Sequence, residues 1–368
     1  MAPLTRYPQK IAACVVVLLS CGLITPGFAE KLTMDITRVD NALHVKANLD
    51  RESCAYTIDA QDMVVQKLKT IYALLETKEN ETSMVGNANR FLKQQYKAVQ
   101  GLLQQQDKSQ QTSSGNQISV SDETKLLLET VGQSIFQPVH ALIETATEIE
   151  FVITEDEMLF PLDALFYQGS PLFLQKPVVY KFSKKTNGRF AMSASWNGCM
   201  IADPTTAPGK AVLNVKKYFP NSQHFNSREI RSEDIAKLGS AKFLLISASG
   251  SPEGIELPHL AIRSWSLASL KPELVYLNTG KLGLGIDFLK AFQQAGTHYY
   301  IAPIFGYEFD SIAALTMERF FRSLSTGNSP SYAMYLTRKT IYNECLLKDN
   351  DFQWVMWQAF PYRVYQLN

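Results

Sequence analysis

Cysteine is scarce in this 368-residue chain, which contains five cysteines and five histidines. Cys14 and Cys21 lie in an apolar N-terminal segment, and the remaining three are widely and irregularly spaced: Cys54, Cys199 and Cys345. An odd number at such spacing is not a disulfide framework, and it lacks the paired spacing of a zinc site. The sequence therefore predicts no metal and no cofactor, and it leaves open whether two of the three thiols pair.

A strong excess of charge is also absent. The chain has 36 basic and 35 acidic residues, a net charge of +1. This balance gives no reason to expect nucleic acid or an anionic surface as a partner. The hydrophobic content of 46% is that of a globular protein with a sizeable core. The length fits one large domain or two ordinary ones.

Long apolar runs are absent after residue 24. Residues 11–24 have the length of a signal-peptide core and are short for a membrane span, and two basic residues precede them, Arg6 and Lys10. A small-x-small cleavage site follows at Gly27-Phe28-Ala29. We expect residues 1–29 to be a signal peptide and the mature chain to be exported, most simply to the periplasm, with no transmembrane span after cleavage. A lipid anchor at Cys21 is the alternative.

The spacing of apolar residues changes within residues 30–134, from the alternation of strands to the stripes of helices. Apolar residues alternate at 32, 34 and 36 and again at 43, 45, 47 and 49, with a turn at Asp40-Asn41, which predicts a β-hairpin. Helical stripes follow at residues 64–75 and 92–103. They show no second copy at a fixed period of about 34 residues, so a helical repeat array is not expected. The Gln/Ser-rich segment at about 104–121 predicts a mobile loop.

Two later apolar runs have the length of buried strands and stop in small residues and glycine. They occupy residues 243–250 and 274–283 and alternate with helical segments, which predicts an α/β fold. In an open α/β sheet, ligands and catalytic groups lie just beyond the carboxyl ends of such strands. These two strand ends are therefore the candidate functional site.

From residue 135 onward, ordered motifs resemble those of one known family. They are Phe160-Pro161-Leu162-Asp163-Ala164-Leu165, Met200-Ile201-Ala202-Asp203-Pro204, a helix at 288–296 and Trp357-Gln358-Ala359-Phe360. Their order and spacing resemble the CHAT family of caspase-like cysteine peptidase domains. The resemblance implies a caspase-like three-layer α/β/α sandwich with a mostly parallel sheet at residues 135–368. The N-terminal hairpin and long helices would be an addition to it, and 357–360 would be its closing strand.

The same resemblance implies that the catalytic pair is missing. In the family the first strand ends in a small residue, His and Gly, and the second ends in Ser-Ala-Cys. Here Ser249 stands at the His position and Gly280 at the Cys position. A serine hydroxyl does not titrate near neutral pH, and glycine has no side chain to act as a nucleophile. We therefore expect a catalytically inactive pseudopeptidase that binds a peptide or protein partner. The expected binding residues are Ser249, Gly250, Asn278, Thr279, Gly280, Lys281, Glu308 and Asp310.

The alternative is an active hydrolase whose groups have moved. Three arrangements are open: Cys199 as a displaced nucleophile, Thr279 with Lys281 as its base, and Ser247 or Ser249 served by His259 or His298. Each nucleophile needs a base within hydrogen-bond reach. The run Gly280-x-x-Gly283-x-Gly285 could also cradle an anion at the start of a helix. Charges at Glu308 and Asp310 could select a basic side chain.

Overall fold

The computed structural model describes residues 30–83, 120–182, 190, 193, 195–235, 238, 241–267, 269–306, 310–348 and 351–368. The predicted signal peptide, the stripe at 92–103 and Glu308 lie outside these residues. So does the predicted loop at 104–121, except for its last two residues, which begin a helix.

Sixteen strands and ten α-helices occur in the described part of the chain. The strands are β1 (Lys31–Val39), β2 (Ala42–Leu49), β3 (Glu52–Ile58), β4 (Glu148–Val152), β5 (Phe166–Tyr167), β6 (Ser170–Pro171), β7 (Val178–Lys181), β8 (Gly198–Ala202), β9 (Gln223–Asn226), β10 (Phe243–Ser247), β11 (Ser249–Ser251), β12 (Gly254–Leu257), β13 (Leu260–Ile262), β14 (Leu274–Asn278), β15 (Tyr299–Pro303) and β16 (Tyr362–Gln366). The helices are α1 (Val64–Ser83), α2 (Val120–Phe136), α3 (His140–Thr145), α4 (Ala207–Tyr218), α5 (Ser232–Ile235), α6 (Ser264–Leu267), α7 (Ile286–Gln294), α8 (Asp310–Ser325), α9 (Pro330–Leu346) and α10 (Phe352–Ala359).

One 11-stranded sheet organises the molecule, in the order β3-β2-β1-β4-β7-β16-β15-β14-β10-β8-β9. Neighbouring strands are parallel except within the β1–β2–β3 ribbon and between β15 and β16. Smaller antiparallel units are formed by β5 with β6 and by β11, β12 and β13. The main sheet is therefore mostly parallel, as expected for the α/β class.

Alternate residues of the central strands face two different cores. On β10, Leu244 and Ile246 face one core, and Phe243 and Leu245 face the other. Helices α1, α2, α7 and α10 cover the first core, whereas α4 and α8 cover the second. Strands covered on both faces read as continuous apolar runs, which is the pattern seen in the sequence. The predicted three-layer α/β/α sandwich with a mostly parallel sheet is confirmed.

The N-terminal strands are continuous with this sheet. β1 and β2 pair around a turn at Asp40, whose φ of 56° is left-handed, and β3 adds a third strand. β1 also pairs in parallel with β4, so the ribbon extends the main sheet. The proposed division at residue 135 falls inside α2 and stays a prediction from sequence.

The assignment of 357–360 to a closing strand is wrong. Asp351 caps α10 by accepting hydrogen bonds from the amides of Gln353 and Trp354, so Trp357 lies within a helix. The chain becomes extended only after Pro361, and the closing strand is β16. An apolar run alone does not separate a buried helix from a buried strand, and here the cap decides it.

Candidate functional site

The carboxyl ends of β10 and β14 lie side by side. The parallel register places Ser247 opposite Asn278. Asn278 donates from Nδ2 to the Ser247 hydroxyl at 2.8 Å and accepts from the Tyr362 hydroxyl at Oδ1. These polar side chains tie three strand ends together. The Asn278 amide, predicted to bind a ligand, is already engaged by the fold.

Two glycines meet beyond these strand ends. Gly250 lies in β11, and a Cβ atom there would lie 2.5 Å from both the Gly254 carbonyl oxygen and Thr279 Cγ2. Only glycine fits at this position without movement of its neighbours. A Cβ atom at Gly280 would meet the Gly250 carbonyl oxygen at 3.5 Å and Gly306 Cα at 3.9 Å, which are ordinary contacts. The fold therefore brings Gly250 and Gly280 to one edge, and it has room for a side chain at 280.

Six residues form the strand-end site: Ser249, Gly250, Asn278, Thr279, Gly280 and Lys281. Ser249 is exposed, whereas Thr279 is only 2% exposed and its hydroxyl has no hydrogen-bond partner among the described residues. The backbones of Gly250 and Gly280 make none of the loop hydrogen bonds found in the described chain. The site thus presents two main-chain segments and one exposed hydroxyl.

Lys281 is not positioned to act as a base for Thr279. Its backbone is left-handed, with φ of 57°, and its amide donates to the Phe305 carbonyl at 3.2 Å. Its ammonium forms an ion pair with Glu76 of α1. The Thr279 hydroxyl is buried and the Lys281 ammonium is paired with Glu76. The geometry therefore does not support Thr279 as a nucleophile with Lys281 as its base.

The glycine run after β14 is a tight packing turn. A Cβ atom at Gly283 would lie 2.7 Å from the Pro303 carbonyl oxygen. Two buried sheet tyrosines donate to carbonyls of this turn, Tyr300 to Leu282 at 2.8 Å and Tyr365 to Gly283 at 2.6 Å.

The amides of that turn are used internally. Leu284 donates to the Lys281 carbonyl at 2.9 Å, and Gly285 donates to the Leu282 carbonyl at 3.0 Å. An anion cradle needs such N–H groups free and convergent. The run therefore positions the strand-end site and is unsuited to binding an anion.

Cys199 lies inside β8 and is 3% exposed. Burial raises the pKa of its thiol to about 12, so the thiolate is rare at neutral pH. The neighbouring β9 histidine, His224, is in register with Met200 and so faces the opposite side of the sheet from Cys199. The geometry gives Cys199 neither an ionised thiol nor a base.

The two histidines considered as bases, His259 and His298, lie in different parts of the fold. His298 directly precedes β15, at the edge of the sheet opposite the strand-end site. His259 is exposed in the turn between β12 and β13. No hydrogen bond joins either imidazole to those serines in the described ranges. Asp310 is the first residue of α8, and the described residues contain no metal-binding group of three or more His, Cys, Asp or Glu side chains.

Helix α1 borders the site, which the sequence did not reveal. The Tyr72 hydroxyl donates to the Ile304 carbonyl at 3.0 Å, and its ring lies 5.5 Å from that of Phe305. With the Glu76–Lys281 ion pair, these contacts fix the loops after β14 and β15. The β11–β13 unit was also missed, although its alternating residues and the turns at Pro252-Glu253 and Pro258-His259 are hairpin signals.

No family profile matches this chain, and no curated protein matches it. Among solved structures, the chain is similar to the Arg-specific cysteine proteinase gingipain R (RGPB), with a TM-score of 0.41 and 10% sequence identity. The similarity covers 66% of this chain and 67% of the proteinase.

Proposed function

We propose that this chain is an exported, catalytically inactive module of the CHAT type, with a caspase-like fold, that binds an extended peptide segment of a partner. The observation that carries the proposal is the meeting of Gly250 with Gly280 at the ends of two adjacent parallel strands. Under this proposal Ser249 and Gly280 occupy the positions of the family's base and thiol, and neither residue can supply that chemistry. A site so constituted binds without cleaving.

The binding mode follows from the β11–β12 hairpin. A two-residue turn makes Ser251 and Gly254 a hydrogen-bonded pair. Hydrogen-bonded and non-hydrogen-bonded pairs alternate along an antiparallel ladder, so the N–H and C=O of Gly250 point away from β12. The outward carbonyl lies beside Gly280. A peptide that adds along this edge would use main-chain hydrogen bonds, which need no catalytic side chain.

The alternative of an active hydrolase requires a nucleophile beside a base. The thiol of Cys199 is buried, and in the described ranges no hydrogen bond joins His259 or His298 to Ser247 or Ser249. The Lys281 ammonium is paired with Glu76. We therefore favour binding over hydrolysis.

The experiment compares peptide binding by Ser249→Arg and by the wild-type protein. Peptides selected from a displayed random library on the wild-type protein serve as probes. A bulky charge at exposed Ser249 should weaken their binding at least tenfold, about 1.4 kcal/mol, with an unchanged melting temperature. Thr340→Arg, on an exposed position of α9, is the matched control and should bind normally. Equal binding by both variants would place the interface elsewhere, and turnover of the probes would reject the inactive assignment.

Export is a separate part of the proposal and rests on residues 1–29 alone. Intact mass of the native protein should give a mature start at Glu30. A lipid-modified start at Cys21 would replace periplasmic release with membrane anchoring. Within the described ranges, no helix combines the length and hydropathy that a bilayer crossing requires.

A further inference from the structure

Strand β3 forms one border of the 11-stranded sheet. It runs for seven residues, Glu52–Ile58, and pairs with β2 without interruption. The opposite border strand, β9, has only four residues. Proteins usually protect a border strand with proline, lysine or a bulge, because its free main chain can pair with another chain. β3 has none of these devices.

The hairpin geometry identifies the main-chain groups that β3 leaves outward. A two-residue turn joins β2 to β3, with Leu49 opposite Glu52. The residues flanking such a turn form a hydrogen-bonded pair, and the pattern then alternates. The main-chain groups of Ser53, Ala55 and Thr57 therefore point away from β2. In the described chain, no other backbone group bonds to these three residues.

The side chains along this border are self-complementary. Ser53, Ala55 and Thr57 are small, uncharged and exposed. Arg51 lies in the turn before the strand and Asp59 lies after the strand, and both are exposed and oppositely charged. Arg51 is flanked by two exposed acidic residues, Asp50 in the same turn and Glu52, which alternation places on the other face of the strand. Asp59 continues the extended backbone, with φ of −65° and ψ of 153°, and its side chain makes no capping hydrogen bond.

We propose that two copies of this chain pair through β3, antiparallel, about a two-fold axis at Ala55. Outward main-chain groups face each other when the axis passes through any one of residues 53–57, at either a hydrogen-bonded or a non-hydrogen-bonded pair. An axis at 55 places Ser53 opposite Thr57 of the second copy and forms about six main-chain hydrogen bonds. It also brings Arg51 of the turn beside Asp59 of the second copy, twice by symmetry. An axis at 53, 54, 56 or 57 does not bring these two charges together.

The two interactions have different roles. The main-chain hydrogen bonds and the exclusion of water from the border hold the copies together, whereas exposed ion pairs contribute little each. The Arg51–Asp59 pairs select the register, because a shifted register loses both at once. The result is a sheet continuous across the dimer. This interface lies on a border strand distinct from the strand-end site and does not depend on the proposed function.

The first test is a charge swap, read by sedimentation equilibrium of the purified chain over a range of concentrations. Arg51→Asp and Asp59→Arg should each raise the dimer dissociation constant at least tenfold. The double variant should restore the dimer dissociation constant to within about threefold of the wild-type value, because the ion pair between residues 51 and 59 is re-formed with its charges exchanged. Lys210→Asp, at an exposed position on α4, is the control and should dimerise normally.

A second test addresses the register directly. Residues facing each other across the axis lie with Cα atoms about 5.5 Å apart, within the range of a disulfide. Ala55→Cys should therefore cross-link two copies under mild oxidation, whereas Thr340→Cys should not. Ala55→Pro removes an outward N–H and spares the bonds to β2, so it should give a folded monomer. A wild-type chain that is monomeric at all concentrations, or a dimer insensitive to both the swap and Ala55→Pro, would overturn the proposal.

Discussion

A Cβ atom added to Gly280 would lie 3.5 Å from the carbonyl oxygen of Gly250, an ordinary van der Waals distance. The same addition at Gly250 would meet the Gly254 carbonyl oxygen and Thr279 Cγ2 at 2.5 Å. The two glycines therefore differ in the space that the fold leaves for a side chain. Gly250 is required by close packing, whereas Gly280 occupies a position that accepts a side chain.

This difference predicts opposite responses to alanine. Gly280→Ala should leave the free energy of unfolding unchanged or raise it by up to about 1 kcal/mol, because the unfolded chain loses freedom. Gly250→Ala should lower it by about 1–3 kcal/mol through overpacking. Urea unfolding followed by circular dichroism measures both. Equal effects would mean that the β11 hairpin does not approach Gly280 as described.

Introducing the two groups that the family resemblance implies, a thiol at 280 and an imidazole at 249, should give thiol chemistry without requiring turnover. The thiol of Gly280→Cys should react with iodoacetamide. In the double variant that also carries Ser249→His, the reaction should continue to a lower pH than in the single variant. An adjacent imidazolium stabilises the thiolate and so lowers the pKa of the new thiol. Mass spectrometry of alkylation between pH 6 and 9 measures the effect.

The control for this pair is Thr340→Cys with and without Ser249→His. Its alkylation should be unaffected, since Thr340 is on an exposed face of α9. If the alkylation profile of Gly280→Cys is likewise unaffected by Ser249→His, residue 249 does not face residue 280 as the family resemblance implies.

Much of the central fold could be predicted because its information is local. The runs at 243–247 and 274–278 are apolar on both faces, so they identify strands covered on both sides. The carboxyl ends of parallel neighbours meet at one edge, so the strand-end site follows from the strands. Ser329 and Pro330 likewise predict the start of α9, where the Ser329 hydroxyl accepts from the Tyr332 amide.

The surroundings of the site could not be predicted, because they depend on contacts between distant parts of the chain. Nothing near Glu76 indicates that it pairs with Lys281, and nothing near Tyr72 indicates its bond to Ile304. The error at 357–360 has a similar origin. Its apolar residues suit a helix or a strand equally, and Asp351, a cap six positions earlier than Trp357, selects the helix.

A buried ion pair anchors the segment 160–165, where Asp163 lies. Arg338 of α9 donates to Asp163 at 2.7 Å, and the Tyr180 hydroxyl donates to the same carboxylate at 2.6 Å. Asp163→Asn would leave the guanidinium buried without its counter-charge. We expect the free energy of unfolding to fall by about 3–5 kcal/mol. Thermal and urea unfolding measure this loss.

The matched control is the exposed pair Lys290–Glu155, in which both side chains are about half exposed. Glu155→Gln should change stability by less than about 0.5 kcal/mol. A similarly small effect of Asp163→Asn would show that water reaches the Asp163 site, contrary to its burial.

Buried tyrosines predict a loss of stability in alkali. Burial raises the pKa of Tyr300 well above its ordinary value, so the folded chain keeps a phenol proton that the unfolded chain releases near pH 10. The unfolded state then binds fewer protons, and the free energy of unfolding falls as pH rises, by about 1.4 kcal/mol per pH unit for each such group.

Tyr300→Phe removes one of these groups. It should cost about 0.5–1.5 kcal/mol at pH 7 through its lost bond to Leu282, but it should make the decline between pH 10 and 11 less steep. Exposed Tyr332→Phe is the control and should keep the wild-type slope. Urea unfolding at fixed pH values measures both, and an unchanged slope in Tyr300→Phe would mean that this phenol ionises in the folded protein.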